Sequence, residues 1–542
     1  MSESGASAGL GRFSAATRAW FEGAFEAATA AQVGAWDAIS RGDHTLVVAP
    51  TGSGKTLAAF LWSLDRLAAA PPVDAGRRCR VLYVSPLKAL AVDVERNLRS
   101  PLAGIRQAAE RLGLPRPEVA VALRSGDTPA EERRAFARRP PDILITTPES
   151  LFLLLTSAAR ESLRGVETVI VDEVHAVCAT KRGAHLAISL ERLDALLERP
   201  AQRIGLSATV RPVAEVASFL AGGRDVTVVQ PPSRKTVDLQ VVVPVEDMSE
   251  LGEPAAPGDD PGGSAAGAAA RRSIWPAVEE RVLDLVEAHR STIVFANSRR
   301  LAERLTARLN ELAYERKYGT EPHDLSAYDS APGGMPAELM AQSGTAEGAP
   351  VVVARAHHGS VSREQRLIVE EELKSGRLPA VVATSSLELG IDMGAVDLVV
   401  QVEAPPSVAA GLQRVGRAGH QVGAVSKGVM FPKFRGDLVE TAVVAERMAA
   451  GQIESMRYPR NPLDVLAQQI VAMVATEPWQ VDAVGELVRR AAPFATLPAS
   501  ALDAVLDMLA GRYPSDEFAE LRPRLTWDRV TGTLAGRPGA QR

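Results

Sequence analysis

The chain has 542 residues, a net charge of −5, 46% hydrophobic residues, 23% charged residues and only 4% aromatic ones. That length accommodates three or four domains of ordinary globular composition, with cores built from Ala, Val and Leu rather than rings. Two cysteines, Cys79 and Cys178, exclude a disulfide framework, a four-cysteine zinc site and a cysteine-ligated iron–sulfur cluster, and the lack of a leader pattern or of a run of ~18 apolar residues argues for a cytoplasmic protein without a membrane segment.

In chain order, short apolar runs at 45–49, 81–85, 119–123, 142–146, 168–172, 203–207 and 226–230 alternate with stretches of helical spacing such as 57–67 and 186–197. Buried β runs alternating with helices predict a parallel sheet covered on both faces, a first domain over residues 1–235. Residues 247–272 are rich in Pro, Gly and Ala after an acidic start, and 236–273 reads as a linker or disordered insertion. The rhythm resumes at 292–296, 351–354, 380–384, 397–402 and 428–431, a second α/β domain over 274–457 with a Gly/Pro/Ser-rich surface excursion at 317–350. Beyond residue 458 the spacing predicts helices at 462–476, 481–492 and 498–509, then a hairpin over 524–534 turning at Thr531-Gly532. Three helices and a hairpin suggest a winged-helix-like unit over 458–542. With no closing element after the hairpin it reads as incomplete, and the chain as a fragment of a longer protein.

The chemistry starts at residues 49–56, A-P-T-G-S-G-K-T, between the first strand and a helix. Thr51, Gly52, Ser53 and Gly54 curl the backbone so that its N–H groups face phosphate oxygens, and the helix N-terminus adds its dipole. Lys55 neutralises the β- and γ-phosphates and the Thr56 hydroxyl can coordinate Mg²⁺, so ATP and Mg²⁺ are the expected cofactors. Ala49 stands where the strict pattern has glycine. Asp172-Glu173-Val174-His175 closes the 168–172 run; Asp172 is the expected metal ligand and Glu173 the group that activates water. Ser207-Ala208-Thr209 ends another strand and can bridge to the second domain. In Q-R-V-G-R-A-G-H, residues 413–420, Arg417 can complete the phosphate site from that domain, with Arg414 as a second contact.

This order of motifs resembles superfamily 2 helicases, which implies two tandem RecA-like domains from about residue 13 to 458. S-P-L-K-A-L (85–90), T-T-P-E-S-L (146–151) and A-T-S-S-L-E-L-G-I-D-M-G (383–394) look like that family's strand-gripping and coupling motifs. On this resemblance Gln32 reads adenine, Asp392 joins the nucleotide contacts, Gln413 joins the catalytic residues, and Lys88, Arg124, Thr147, Thr384 and Ser385 hold the strand's phosphates. D-E-V-H, R-S-G-D-T-P (124–129), R-A-H-H-G-S-V-S (355–362), R-V-G-R-A-G-H and P-R-N-P-L-D-V-L-A-Q-Q (459–469) are similar to the large helicase-related (Lhr) branch, whose winged-helix domain the last run opens. His420 stands where many superfamily relatives have a second arginine. The resemblance covers nearly the whole chain apart from the two low-complexity inserts. It implies an ATP-dependent motor moving 3′ to 5′ on single-stranded DNA and unwinding DNA or RNA–DNA duplexes in repair. An RNA-remodelling helicase and a nucleotide-switched clamp without turnover stay open as alternatives. Trp479 and Trp527 can stack on bases or pack in the core.

Overall fold

The computed structural model describes residues 9–50, 52–71, 73–232, 236–248, 273–319, 352–389, 394, 396–419, 424–513 and 522–540. It divides into two compact units, Met1–Ser233 with Ser455–Arg542, and Arg234–Glu454.

The first unit is built on seven strands: β1 His44–Val48, β2 Val81–Val84, β3 Val121–Arg124, β4 Ile143–Thr146, β5 Thr168–Val171, β6 Gln202–Ser207 and β7 Val226–Val229. They lie in the order β3-β4-β2-β5-β6-β1-β7, every pair parallel. Successive residues serve opposite faces. Leu46, Val48, Leu82, Val84, Val169 and Val171 enter one core, whereas Val47, Val81, Tyr83, Ile143, Ile145 and Ile170 enter the other, with Trp36 and Phe60 from the covering helices. Near-continuous Val/Ile/Leu runs therefore mark strands buried on both sides, as the α/β expectation requires.

The C-terminal segment belongs to this same unit. Helices Leu463–Val474, Val481–Arg490 and Ala499–Leu509 carry an antiparallel sheet of β14 Trp479–Gln480, β15 Leu525–Asp528 and β16 Thr533–Gly536, in the order β14-β16-β15. Gly532, at φ 68°, supplies the left-handed residue of the β15–β16 turn. Val465, Leu466, Ile470 and Leu487 share one hydrophobic cluster with Leu186, Ile188 and Leu190 of the Lys181–Leu196 helix. A buried polar clasp lies within that seam: Arg192 donates to Gln469 Oε1 at 2.9 Å, and Gln469 Nε2 donates to the His185 carbonyl and Ser189 Oγ, both at 3.0 Å. Trp479 and Trp527 pack against the cluster, both in register with Leu534 of β16.

The second unit has six parallel strands: β8 Val237–Val241, β9 Thr292–Phe295, β10 Ala354–His357, β11 Ala380–Ala383, β12 Leu398–Val402 and β13 Ser426–Phe431, in the order β10-β11-β9-β12-β13-β8. Two expectations need correction here. Residues 237–241, read as the start of a linker, form edge strand β8 against β13. Only its alternate residues are shielded, and such a short half-exposed strand leaves little apolar signal beside a Pro/Gly-rich stretch. The strand expected at 351–354 runs instead from Ala354 to His357, because Arg355 and His357 hide it from an apolar reading. Within the 317–350 excursion, Lys317 and Tyr318 continue the Arg299–Tyr318 helix; residues 320–350 and most of the 236–273 insertion lie outside the described residues.

Candidate active site

In a parallel sheet every strand ends on the same edge, and that edge of the first unit gathers the expected chemistry. The loop after β1 contains Gly52 at φ 82° and Gly54 at φ 76°, backbone that favours glycine at both positions. Gly54 caps the Lys55–Ala69 helix. Lys55 is only 9% exposed, with Nζ hydrogen-bonded to the Ala49 carbonyl across the loop. Ser53 Oγ donates to the Pro50 carbonyl at 2.7 Å, and Thr29 Oγ1 donates to the Ser53 carbonyl at 2.9 Å. The loop is thus held open as a backbone cradle, and a triphosphate suits it: positive-φ glycines, a helix start and a lysine at its root. Thr51 lies outside the described residues.

Gln32, expected to read adenine, has both ends of its amide committed to the protein. Its Oε1 accepts from the Thr29 N–H at 2.9 Å and its Nε2 donates to the Gly54 carbonyl at 3.4 Å. A Cβ on residue 54 would lie 2.5 Å from Gln32 Nε2. Gln32 is therefore a brace for the loop. Sequence reasoning missed its partner Thr29, although T-A-A-Q is a capping-box pattern and the reciprocal bonds of that box are made.

β5 delivers Asp172 and Glu173, 5% and 6% exposed. Glu173 is one of three non-glycine residues at positive φ among the described residues (φ 44°), a strained conformation of the kind found at functional sites. Asp172 Oδ1 accepts the Glu173 backbone N–H at 2.9 Å. Burial and then the Glu173 charge push the Asp172 carboxyl up to about 7, against the pull of Lys55. A divalent cation would relieve that cost, so Asp172 with the Thr56 hydroxyl fits Mg²⁺. A raised carboxyl pKa means the folded chain holds a proton that the unfolded chain releases between about pH 4 and 7. The penalty for ionised Asp172 is therefore complete above about pH 7 and fades as pH falls. Asp172→Asn should stabilise the ligand-free protein by about 2–4 kcal/mol at pH 8 and by clearly less at pH 5, read from thermal melts at both values.

His175 ties this strand end to the next. Its Nδ1 accepts the Ala208 N–H at 3.2 Å and lies 3.3 Å from Ser207 Oγ and 3.4 Å from Glu173 Oε2. Burial holds the imidazole below its usual value, so the ring is neutral with its proton on Nε2. Nε2 itself has no hydrogen-bond partner among the described residues.

Farther along the same edge stand the expected strand contacts. Lys88 is exposed and paired with Asp127 at 2.6 Å. Arg124 lies over the Phe136 ring at 5.2 Å, and burial followed by the Arg133 charge lowers its pKa. Thr147 departs from expectation. It is buried, and its hydroxyl caps the Pro148–Leu155 helix by accepting from Ser150 N–H at 3.4 Å, so its side chain is a helix cap rather than a free phosphate ligand.

In the second unit, Arg414 is likewise corrected. Its guanidinium donates to Glu388 at 3.1 Å, to Asn297 Oδ1 at 3.0 Å and to Gln401 Oε1 at 3.0 Å, beneath the Phe295 ring. These bonds make it a structural clamp between β9, β12 and the segment after β11. Arg417 follows the Val408–Val415 helix at 2% exposure, and Gln413 lies half-buried on that helix. Thr384 is half-buried and Ser385 exposed at the end of β11. Asp392 and His420 lie outside the described residues.

Residues 29–216 match the DEAD/DEAH box helicase family and residues 340–421 the helicase conserved C-terminal domain. Residues 446–542 match the winged helix domain of the large helicase-related protein. The chain is 66% identical over 533 residues to the Lhr helicase/probable uracil glycosylase of Mycolicibacterium smegmatis, a stretch covering 98% of this chain and 34% of that protein. It belongs to the Lhr helicase family. The Lhr helicase/uracil glycosylase of Escherichia coli is 56% identical, over 98% of this chain and 34% of its own length. Among solved structures, the Lhr helicase of Mycobacterium smegmatis bound to ssDNA and AMP-PNP matches with TM-score 0.84 and 63% identity, over 98% of this chain and 61% of that one. The chain thus spans about a third of the length of these two curated Lhr relatives. The Lhr assignment agrees with the α/β class, two RecA-like parallel-sheet domains and a winged-helix domain.

Proposed function

We propose that this chain is the motor of an ATP-dependent helicase that moves 3′ to 5′ along single-stranded DNA and separates DNA or RNA–DNA duplexes in repair. One observation carries this reading. The phosphate-type loop and Asp172 with Glu173 follow β1 and β5, Ser207 ends β6, and the candidate strand contacts Lys88 and Arg124 lie after β2 and at the end of β3 of the same sheet. The ssDNA and AMP-PNP complex of the similar mycobacterial protein supports both ligands.

In this reading Lys55 and the loop N–H groups bind and orient the triphosphate, and Thr56 with Asp172 holds Mg²⁺, which supplies charge neutralisation. Glu173 orients the attacking water and accepts its proton. His175, on the helix that opens just after Glu173, accepts the Ala208 N–H through Nδ1, so a shift at the end of β5 is felt at the Ser207–Ala208 corner. Arg417 is the second unit's candidate for a cationic phosphate contact. On the nucleic-acid side, Lys88 and Arg124 attract phosphates without reading bases, and Thr384 and Ser385 offer hydroxyl donors.

The test measures ATP turnover with single-stranded DNA and RNA of one sequence, alongside strand displacement on 3′-tailed and 5′-tailed duplexes. DNA should stimulate hydrolysis at least about tenfold, and only the 3′-tailed duplex should open. Equal stimulation by RNA would move the substrate to RNA. Opening of only the 5′-tailed duplex would reverse the polarity, and absence of turnover would leave a nucleotide-switched clamp.

A further inference from the structure

β10 ends on His357, which is 1% exposed, and three bonds run from this residue to the segment that follows β11. The His357 carbonyl accepts the Thr384 N–H at 3.3 Å and the Ser386 hydroxyl at 2.8 Å. Its imidazole Nδ1 lies 2.8 Å from the same Ser386 Oγ. On the far side of the ring, Nε2 lies 3.1 Å from Glu370 Oε1 of the Arg363–Lys374 helix. The ring therefore bridges a helix to a short turn, Ser385–Leu387, whose first residue is exposed.

The neighbouring histidine is wired differently. His358 Nδ1 accepts the Ser360 N–H at 3.2 Å, and Nε2 pairs with Glu303 of the Arg299–Tyr318 helix. Among the described residues, neither of these bonds reaches the 384–386 segment. Only the first histidine of R-A-H-H thus grips the turn that carries Thr384 and Ser385.

We infer that His357 is a positioning residue for nucleic-acid binding: through Ser386 it fixes the turn that presents the Thr384 and Ser385 hydroxyls to the phosphates of a single strand. This deepens the proposed function and rests on it, since it requires those two hydroxyls to touch the strand. The physical reason is preorganisation. Leu387 anchors the far end of the turn in the core, but its hydroxyl end at Ser385 is exposed, and a loop ordered only on binding loses affinity to its own entropy. A buried ring bonded on both sides removes that freedom beforehand.

The two amide substitutions separate the two ends of the ring. His357→Asn places an amide near the position of Nδ1, able to donate to or accept from Ser386, and gives up Glu370. His357→Gln reaches toward the position of Nε2, keeps the Glu370 bond and gives up Ser386. The full chain is titrated with oligo(dT) of about 20 nucleotides while ATP turnover is recorded. His357→Gln and Ser386→Ala should each raise the half-saturating oligo(dT) about tenfold, with turnover at saturating DNA within about twofold. His357→Asn should stay within about threefold of the parent, and His357→Gln with Ser386→Ala combined should be no worse than either alone. Equal impairment by Asn and Gln, or no effect of Gln, overturns the inference. A Thr384→Val, Ser385→Ala double variant tests the underlying reading separately: if it leaves half-saturation unchanged, the turn does not hold the strand and His357 positions nothing.

Discussion

Glu173→Gln should lower maximal DNA-stimulated ATP turnover by about 10²–10⁴-fold while changing ATP affinity by less than about threefold. The substitution keeps shape and hydrogen-bonding reach but removes the site where a proton can rest. The backbone bond that fixes this corner, Glu173 N–H to Asp172 Oδ1, does not involve the altered atoms. The cost should therefore fall on the chemical step and not on assembly of the site. The His175 Nδ1 accepts from Ala208 N–H and does not depend on the Glu173 carboxylate, so a neutral amide there leaves that bond in place. Lys55→Ala provides the contrast, because it removes the cation at the root of the phosphate loop and should weaken nucleotide binding as well as turnover. The measurement pairs single-turnover hydrolysis with equilibrium binding of a fluorescent ATP analogue. Turnover within about threefold of the parent for Glu173→Gln would remove this residue from the role of base.

How legible this was in the sequence depended on whether a motif's identity or its environment decided the outcome. The shape of the glycine loop was legible because glycine spacing dictates the backbone, and the structure places Gly52 and Gly54 at positive φ. Arg414 and Arg417 were not distinguishable in R-V-G-R, since nothing local says which guanidinium meets Glu388, Asn297 and Gln401. Thr147 carried its own clue: T-P-E is a helix start with proline in the first turn, and that local role claimed the hydroxyl. Gln469 and Arg192 were opaque for the opposite reason. They stand 277 residues apart, and their bond exists only because the C-terminal helices pack on the Lys181–Leu196 helix. A linear reading sees a trailing third domain, whereas the contacts make it part of the first unit.

Glu191→Ala should destabilise the first unit by about 3–5 kcal/mol, the second large effect expected from this structure. Glu191 is fully buried, and its carboxylate accepts from Arg203 Nη2 at 2.8 Å and from Arg224 at 2.9 and 3.0 Å. Arg203, itself buried, also donates to Asp194 Oδ2 at 2.7 Å and to the Leu220 carbonyl at 3.0 Å. Burial alone would push the Glu191 carboxyl up; the Arg224 hydrogen bond and the Arg203 charge outweigh it and hold the group below its usual value. Stability from this group is thus present above the ordinary carboxylate pKa and lost as pH falls through the lowered one. Removing the carboxylate leaves Arg203 and Arg224 sharing Asp194, with more positive than negative charge under cover, which costs more than the intact cluster contributes. Added salt should do little, because ions do not reach a buried cluster. The Arg490 guanidinium of the C-terminal segment lies 3.7 Å from Glu191, and a Cβ on Gly222 would come within 2.2 Å of the Arg490 carbonyl, so the cluster sits directly under that seam. Calorimetry of the variant should therefore show the transition of the first unit falling by about 6–12 °C, with the C-terminal helices melting in that same step. A C-terminal segment that melts separately, or a shift under about 2 °C, would mean the cluster does not hold the unit together.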